Sequence, residues 1–250
     1  MSKLFAIAFI LLLPFTGSAA PPDYTTQWRA GVAAYEQKSY DSAAYYFEQI
    51  AAAKPGNPEL YFNLGNVYYR LNRIAPAVLN YERALKVNPG YREAKDNLTL
   101  ARNRISNHIA PAEDIFFISW WKSMTRADRA GTWAVLTLVI FCLIIVSMLA
   151  RRFSRLGRSI PVQVPGVLGF VCLCFFVLAF ISATNSYQHN TAVVMENDTP
   201  LLNNAQKGKQ LALIPEGTTV KILNIDGPWM EVSLPDGRSG WVQQQSLSLI

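Results

Sequence analysis

The chain has 250 residues, of which 51% are hydrophobic and only 16% are charged. Since about a quarter of the residues of a soluble domain are usually charged, this deficit indicates that part of the chain lies in lipid. The formal net charge is +6, and four of the arginines behind it fall within residues 151–158, between two apolar runs. Charge concentrated in this way indicates membrane topology and argues against nucleic-acid binding.

The first residues have the pattern of a secretory signal peptide. Lys3 supplies a positive charge, residues 4–13 form an apolar core, and Ser18 and Ala20 place small side chains before a cleavage point. The apolar core is too short to cross a bilayer comfortably, because a span needs about 20 residues. We therefore predict a signal peptide over residues 1–20, with an uncleaved anchor as the alternative.

From Tyr24 onward the sequence repeats itself, since Gly31 recurs as Gly65, 34 residues later. The other recurring pairs are Ala43 with Ala77, Phe47 with Tyr81, and Pro55 with Pro89. This pattern resembles the tetratricopeptide repeat, a helix–turn–helix unit in which small residues let the helices approach closely. The resemblance is stronger over residues 58–91 than over residues 24–57, and it predicts an α-helical repeat region with a capping helix over residues 24–110.

A repeat array needs a cap, because the last unit otherwise exposes its apolar face. Residues 92–107 predict this capping helix, with Leu98, Ala101 and Ile105 along one stripe. Two repeats and a cap are close to the lower limit for a stable array. We therefore expect either more helix from Pro111 onward or a partner.

The resemblance implies that the first helix of each repeat lines a concave binding face. Six candidate groove residues follow helical spacing on these two helices, namely Trp28, Tyr35, Phe62, Asn66, Tyr69 and Arg70. Aromatic rings supply contact area, an amide suits a peptide backbone, and a guanidinium suits a carboxylate. The alternative is that these aromatic rings pack on the neighbouring repeat or on the aromatic segment that follows the array. Peptide-clamping relatives place lysines where Trp28 and Phe62 stand, which argues against a carboxylate clamp here.

An aromatic segment and two uncharged runs follow the repeats. The sequence IFFISWWK at residues 115–122 favours the membrane interface, and we assign residues 111–130 to it, with burial against the repeats as the alternative. Residues 131–150 carry no charge, and the core of residues 162–183 carries none either. Both are long enough to cross a bilayer, so they predict a two-helix transmembrane hairpin.

The loop between the two spans, residues 151–161, determines the predicted topology. It contains Arg151, Arg152, Arg155 and Arg158. Short arginine-rich loops stay in the cytoplasm. We therefore expect the segments before and after the hairpin to lie outside the cytoplasm. The predicted location is the bacterial inner membrane, with both soluble modules extracytoplasmic.

Residues 191–250 change to an alternating pattern typical of short strands, with turn signals around Gly217, Gly227 and Gly237. We expect Val220, Ile222 and Ile225 to face inward on one strand, and Met230, Val232 and Leu234 on the next. The pattern, with Gly240-Trp241-Val242 near its end, resembles the bacterial SH3-like domain and predicts a small all-β barrel.

Two tryptophans of this module are of interest. Trp229 begins a strand after a turn, where barrel edges often carry a ligand groove, so it is the ligand-binding candidate. Trp241 is expected in the core. The resemblance implies binding of peptidoglycan peptides or of other proteins.

Residue patterns for catalysis or cofactor binding are missing from the sequence. The two histidines, His108 and His189, are far apart, and all three cysteines, Cys142, Cys172 and Cys174, fall within the predicted spans. The sequence also lacks a phosphate-binding loop. We therefore predict that the protein is not an enzyme and holds neither a cofactor nor a metal.

Taken together, the order of modules resembles the BatE-type proteins of the Bacteroides aerotolerance (Bat) operon family. The resemblance implies a membrane complex with von Willebrand A-type partners and a link to stress tolerance. The main hypothesis is a non-catalytic, membrane-anchored adaptor whose external modules recruit proteins. The alternative is a cell-wall sensor that binds peptidoglycan through the SH3-like domain.

Overall fold

The computed structural model describes residues 24–112, 115–153, 161, 163–185, 190–205 and 208–250. The predicted signal peptide at residues 1–20 lies outside these ranges, as do Arg155, Arg158 and His189. The predicted fold class is confirmed: repeat helices are followed by two long apolar helices and by an antiparallel all-β module.

Five helices form the repeat array. They are α1 (Thr25–Glu36), α2 (Tyr40–Ala53), α3 (Pro58–Arg70), α4 (Ile74–Val87) and α5 (Arg92–Arg102). Helix α3 begins where the sequence dictates, with Pro58 in its first turn and Asn57 as its N-cap. The side-chain oxygen of Asn57 accepts hydrogen bonds from the backbone N–H groups of Glu59 and Leu60, at 2.8 and 3.2 Å.

The recurring small residues mark where the two helices of a repeat touch. A β-carbon added at Gly31 would lie 2.7 Å from Phe47 Cε1, and one added at Gly65 would lie 2.5 Å from Tyr81 Cε1. Each glycine therefore makes room for the aromatic ring of the residue that lies 16 positions later in the same repeat. The two aromatic rings are fully buried.

A short helix and the apolar pair follow the array. They are α6 (Phe116–Met124), α7 (Ala130–Phe153) and α8 (Gln163–Asn185). Helices α7 and α8 are long and apolar enough to cross a membrane, with mean hydropathies of 2.8 and 2.7 and none of their most apolar stretches buried. They pack side by side, with the ring of Trp133 stacked 5.5 Å from that of Phe175.

The C-terminal β module is one antiparallel sheet over residues 191–249. Its strands are β1 (Thr191–Val194), β2 (Thr199–Leu202), β3 (Gln210–Ile214), β4 (Thr219–Asp226), β5 (Trp229–Ser233), β6 (Ser239–Gln243) and β7 (Leu247–Leu249). In space they follow the order β3-β2-β6-β5-β4-β1-β7. Side chains from β1 to β6 converge on a single apolar core, so the sheet wraps around its own interior.

The predicted inward face of β4 is correct for two residues and wrong for the third. Val220 and Ile222 are buried, but Ile225 is exposed. The register of β4 against β5 shifts between Ile222 and Asn224, which is the signature of a β-bulge. Beyond the bulge Ile225 pairs with Met230, which is buried, but Ile225 lies near the end of the strand and is exposed.

The β module packs on the end of the helical array. In β1, Ala192 and Val194 point into the module's own core, while Val193 between them joins the apolar cluster of α4 and α5. The predicted stripe of Leu98, Ala101 and Ile105 is buried in that same cluster. The partner that the short array was expected to need is therefore, in part, the chain's own β module.

Candidate functional site

The structure places the six groove candidates on the first helices of the two repeats. Trp28 and Tyr35 lie on α1, and Phe62, Asn66, Tyr69 and Arg70 lie on α3. Arg70 is exposed, whereas the other five are half-buried. The set therefore combines residues that pack within the array with one that faces solvent fully.

Two of the aromatic groove candidates, Trp28 and Phe62, take part in packing. The ring of Trp28 meets that of Phe47 edge-on at 5.5 Å. The ring of Phe62 lies 5.0 Å from that of Tyr91 and 6.1 Å from that of Tyr81. These contacts agree with the alternative that the aromatic rings pack within the protein. Both side chains nevertheless keep part of their surface exposed.

Asn66 holds three helices together. Its side-chain oxygen accepts hydrogen bonds from the hydroxyl of Tyr81 on α4 and from the amide of Asn97 on α5, each at 2.8 Å. Burial raises the pKa of Tyr81, and the Asn97 contact opposes that shift. Both lone pairs of the Asn66 oxygen are thus engaged, so this oxygen positions the groove instead of accepting from a peptide.

Two guanidinium groups surround the C-terminal end of α3. Arg104 lies over the ring of Tyr69, with its guanidinium carbon 4.0 Å from the ring centre. Arg70 is hydrogen-bonded to Tyr35 of the preceding repeat, and this bond raises the pKa of Arg70. The arginines are held by aromatic partners and not by acids, so their charge remains available to an acidic or carbonyl-rich ligand.

Trp229, the ligand-binding candidate, lies at the start of an inner strand of the sheet. It opens β5, pairs with Gln243 on β6 and Asp226 on β4, and is half-buried. It lines a cleft of about 940 Å³ together with Pro228, Met230, residues 243–245 and residues 247–249. Trp241, expected in the core, is only half-buried.

The junction between array and β module has polar contacts that the sequence analysis missed. Glu82 on α4 accepts a hydrogen bond from Arg102 on α5 and another, at 3.1 Å, from the hydroxyl of Thr219 on β4. Arg83 donates to the carbonyl of Leu249 at 2.9 Å, and Lys86 donates to that of Ile250. In the sequence these side chains look like ordinary charged residues of a helix surface. The only signal was that a short array leaves its last apolar face uncovered, so that another part of the protein has to pack on it.

The remaining predicted residues lie in or beside the apolar helices. Arg151 and Arg152 fall in the last turn of α7. Cys142 and Cys174 are exposed on the outer faces, and the thiol of Cys172 donates to the carbonyl of Thr137, 3.6 Å away. Within the ranges that the structure describes, no three His, Cys, Asp or Glu side chains come together as a metal site would require.

Comparison with known families agrees with this geometry. Residues 34–100 match the sequence profile of the tetratricopeptide repeat family. The match covers α2 to α4 and parts of α1 and α5, so the chain contains tetratricopeptide repeats. Among curated proteins, none matches the chain.

Proposed function

We propose that this protein is a membrane-anchored adaptor whose tetratricopeptide array and β module recruit protein partners. Tetratricopeptide arrays generally bind other proteins and act as non-catalytic scaffolds, and we propose that role here. The observation that carries the proposal is the inner face of the matched repeats, where exposed Arg70 is accompanied by half-buried aromatic rings.

The proposed location is the outer side of the bacterial inner membrane. Three features support it: the predicted signal peptide, the arginines that follow α7, and the junction itself. The array precedes the two apolar helices and the β module follows them, so their contact requires both modules on one side of the membrane. An even number of spans satisfies that requirement, and the positive-inside tendency selects the outer side.

The α6 segment fits an interfacial location in this arrangement. None of its residues is buried, and Phe116 is 81% exposed. Burial against the repeats, the alternative, is not supported by such exposed rings. Aromatic side chains with one wet and one apolar side are enriched at the level of the lipid headgroups.

The module order supports a narrower proposal about the partner. Repeats, an apolar hairpin and a small β module are combined as in the BatE-type proteins, so we propose von Willebrand A-type membrane proteins as partners. The complex would then act in aerotolerance or a related stress response. Co-purification from the native host with mass spectrometry tests this, and the absence of any such partner contradicts it.

The groove is tested by removing its exposed cation and the ring beside it. In the full chain, the double change Tyr69→Ala and Arg70→Ala is expected to lose the co-purified partner. Arg73→Ala is the matched control, because Arg73 is also exposed but lies at the turn between α3 and α4. A partner list that stays the same in both variants removes the groove from the proposal.

A second function is favoured by the cleft at Trp229, where an indole lies beside glutamine amides. Such a surface suits a peptidoglycan peptide. The full chain in detergent is incubated with purified sacculi, and Trp229→Ala is expected to abolish sedimentation with them. If the wild-type chain does not sediment, this second function is wrong.

A further inference from the structure

One end of the β module exposes apolar side chains that the groove does not explain. Ile225 is 59% exposed and Leu249 is 53% exposed. The two line one shallow pocket, and Leu249 lines the neighbouring cleft together with Trp229. We call Ile225, Trp229 and Leu249 the hairpin rim, because Ile225 and Trp229 flank the turn between β4 and β5 and Leu249 lines both pockets.

Strand pairing shows which way the hairpin rim points. Thr191, the first residue of β1, pairs with Lys221, and the N–H of Ile222 donates to the carbonyl of Asn190 at 2.8 Å. Strand β4 continues to residue 226, which is about 16 Å further at about 3.3 Å per residue. The rim therefore extends past the start of β1, toward the side from which the chain enters the module.

The chain enters from α8. Asn185 ends this helix, and Asn190 is five residues later. Five residues span at most about 18 Å even when fully extended. The entrance to the β module is therefore held close to the end of a membrane-length helix. The hairpin of β4 and β5, which extends past this entrance, is held there as well.

Contacts of the helical array lead to the same end independently. The amine of Lys95, in the first turns of α5, lies 4.0 Å from a carboxylate oxygen of Asp128, which comes directly before α7. Lys86, in the last turn of α4, binds the carbonyl of Ile250 and shares the pocket of Ile225. The corner between α4 and α5 thus joins the head of α7 to the hairpin rim.

We propose that the hairpin rim inserts into the headgroup region of the same bilayer that α7 and α8 cross. This rests on the proposed function only in requiring that the two helices span. Exposed aliphatic side chains and a tryptophan are the residues that favour the boundary between headgroups and acyl chains. Asp226 at the turn limits the depth to the interface, because a carboxylate does not enter hydrocarbon cheaply.

The test uses the full chain in nanodiscs of phosphatidylcholine and phosphatidylglycerol. The three native cysteines are changed to alanine, and Ile225→Cys carries an environment-sensitive fluorophore. Asn197→Cys is the matched control, because Asn197 is exposed in the turn after β1, at the end of that strand opposite the entrance from α8. Lipids with a quencher near the headgroup are expected to quench the label at position 225 at least about twofold more than the label at position 197.

Equal quenching at positions 225 and 197 overturns the proposal. Protection of position 225 from an aqueous quencher without quenching by lipid also overturns it, since a protein then covers the rim. A third sample keeps Cys142 alone as the label, in lipids that carry the quencher on the acyl chain, because this residue is exposed at the middle of α7. Quenching of Cys142 by lipid without quenching at position 225 refutes only the rim, whereas an unquenched Cys142 refutes the membrane anchoring itself.

Discussion

Gly65 sets how closely α3 and α4 approach. A methyl group there would lie 2.5 Å from Tyr81 Cε1, and Tyr81 cannot swing away because its ring is buried and its hydroxyl is bound to Asn66. Gly65→Ala is therefore expected to destabilise the chain by about 1–3 kcal/mol, as overpacking usually does. Urea unfolding followed by helix circular dichroism measures the change.

The control for this substitution is Gly90→Ala. A β-carbon at Gly90 would have its nearest neighbour at 3.5 Å, the side-chain oxygen of Asn88, and the site is exposed. Little or no loss of stability is expected there. Equal losses at Gly65 and Gly90 would mean that the contact with the tyrosine ring does not decide the effect.

Tyr81 and Tyr68 also make the stability of the array depend on pH. Burial raises the pKa of both, and the contact with Glu48 raises that of Tyr68 further. A raised pKa in the folded state means that stability is complete below the ordinary tyrosine pKa of about 10 and is lost as the pH rises above it.

We therefore expect the urea midpoint to hold steady up to about pH 9 and to fall at higher pH. Tyr81→Phe should lower the midpoint at neutral pH, because the bond to Asn66 is lost, and should reduce its fall above pH 10. A decline in the Tyr81→Phe variant as steep as in wild type would show that this hydroxyl does not contribute.

At the scale of elements, the turns within the two repeats share one backbone conformation. Lys38 and Asn72, 34 residues apart, have φ values of 60° and 58° and end α1 and α3 in the left-handed conformation. Asparagine tolerates this conformation better than lysine does. Lys38→Gly is expected to stabilise the array by up to about 1 kcal/mol. Thermal unfolding measures this, with Asn72→Gly expected to give the smaller gain.

The helices of the array could be predicted because their signals recur. Gly31 and Gly65, and Phe47 and Tyr81, stand in equivalent places, so one repeat supports the interpretation of the other. Strand β4 offered no such second copy. Its apolar residues alternate from Val220 to Ile222 only, and the bulge that shifts the register before Asn224 depends on pairing with β5, which the local sequence does not encode.

At the scale of the whole molecule, a single side chain tests whether array and β module form one unit. Val193 faces the array, while its neighbours Ala192 and Val194 face the core of the β module. Val193→Asp is therefore expected to open the junction and leave the module folded. Hydrogen exchange should show protection in α5 falling at least about tenfold, which corresponds to 1.4 kcal/mol.

The matched control is Leu213→Asp on the exposed surface of β3. It adds the same charge to the same module without touching the array, so protection in α5 should stay at the wild-type level. Equal protection of α5 in all three proteins would show that the junction contributes nothing to the stability of the cap.

Much less of the candidate site than of the fold could be predicted. Helical spacing predicted that the six groove candidates lie on the first helices of the two repeats, yet it could not show that Asn66 and Phe62 are engaged by α4 and by the segment leading into α5. The contacts of Glu82, Arg102 and Thr219 join residues more than 100 positions apart. Such pairs follow from the docking of two modules and leave no local pattern.

The junction described above also orders the biogenesis of the protein. The ribosome makes the array first and the β module last, with two apolar helices between them. In the proposed topology, Val193 can meet α4 and α5 only after both helices have been inserted and the final segment has been exported. Until then the stripe of Leu98 and Ile105 stays uncovered, so a chain whose insertion stalls presents that stripe to quality-control proteases.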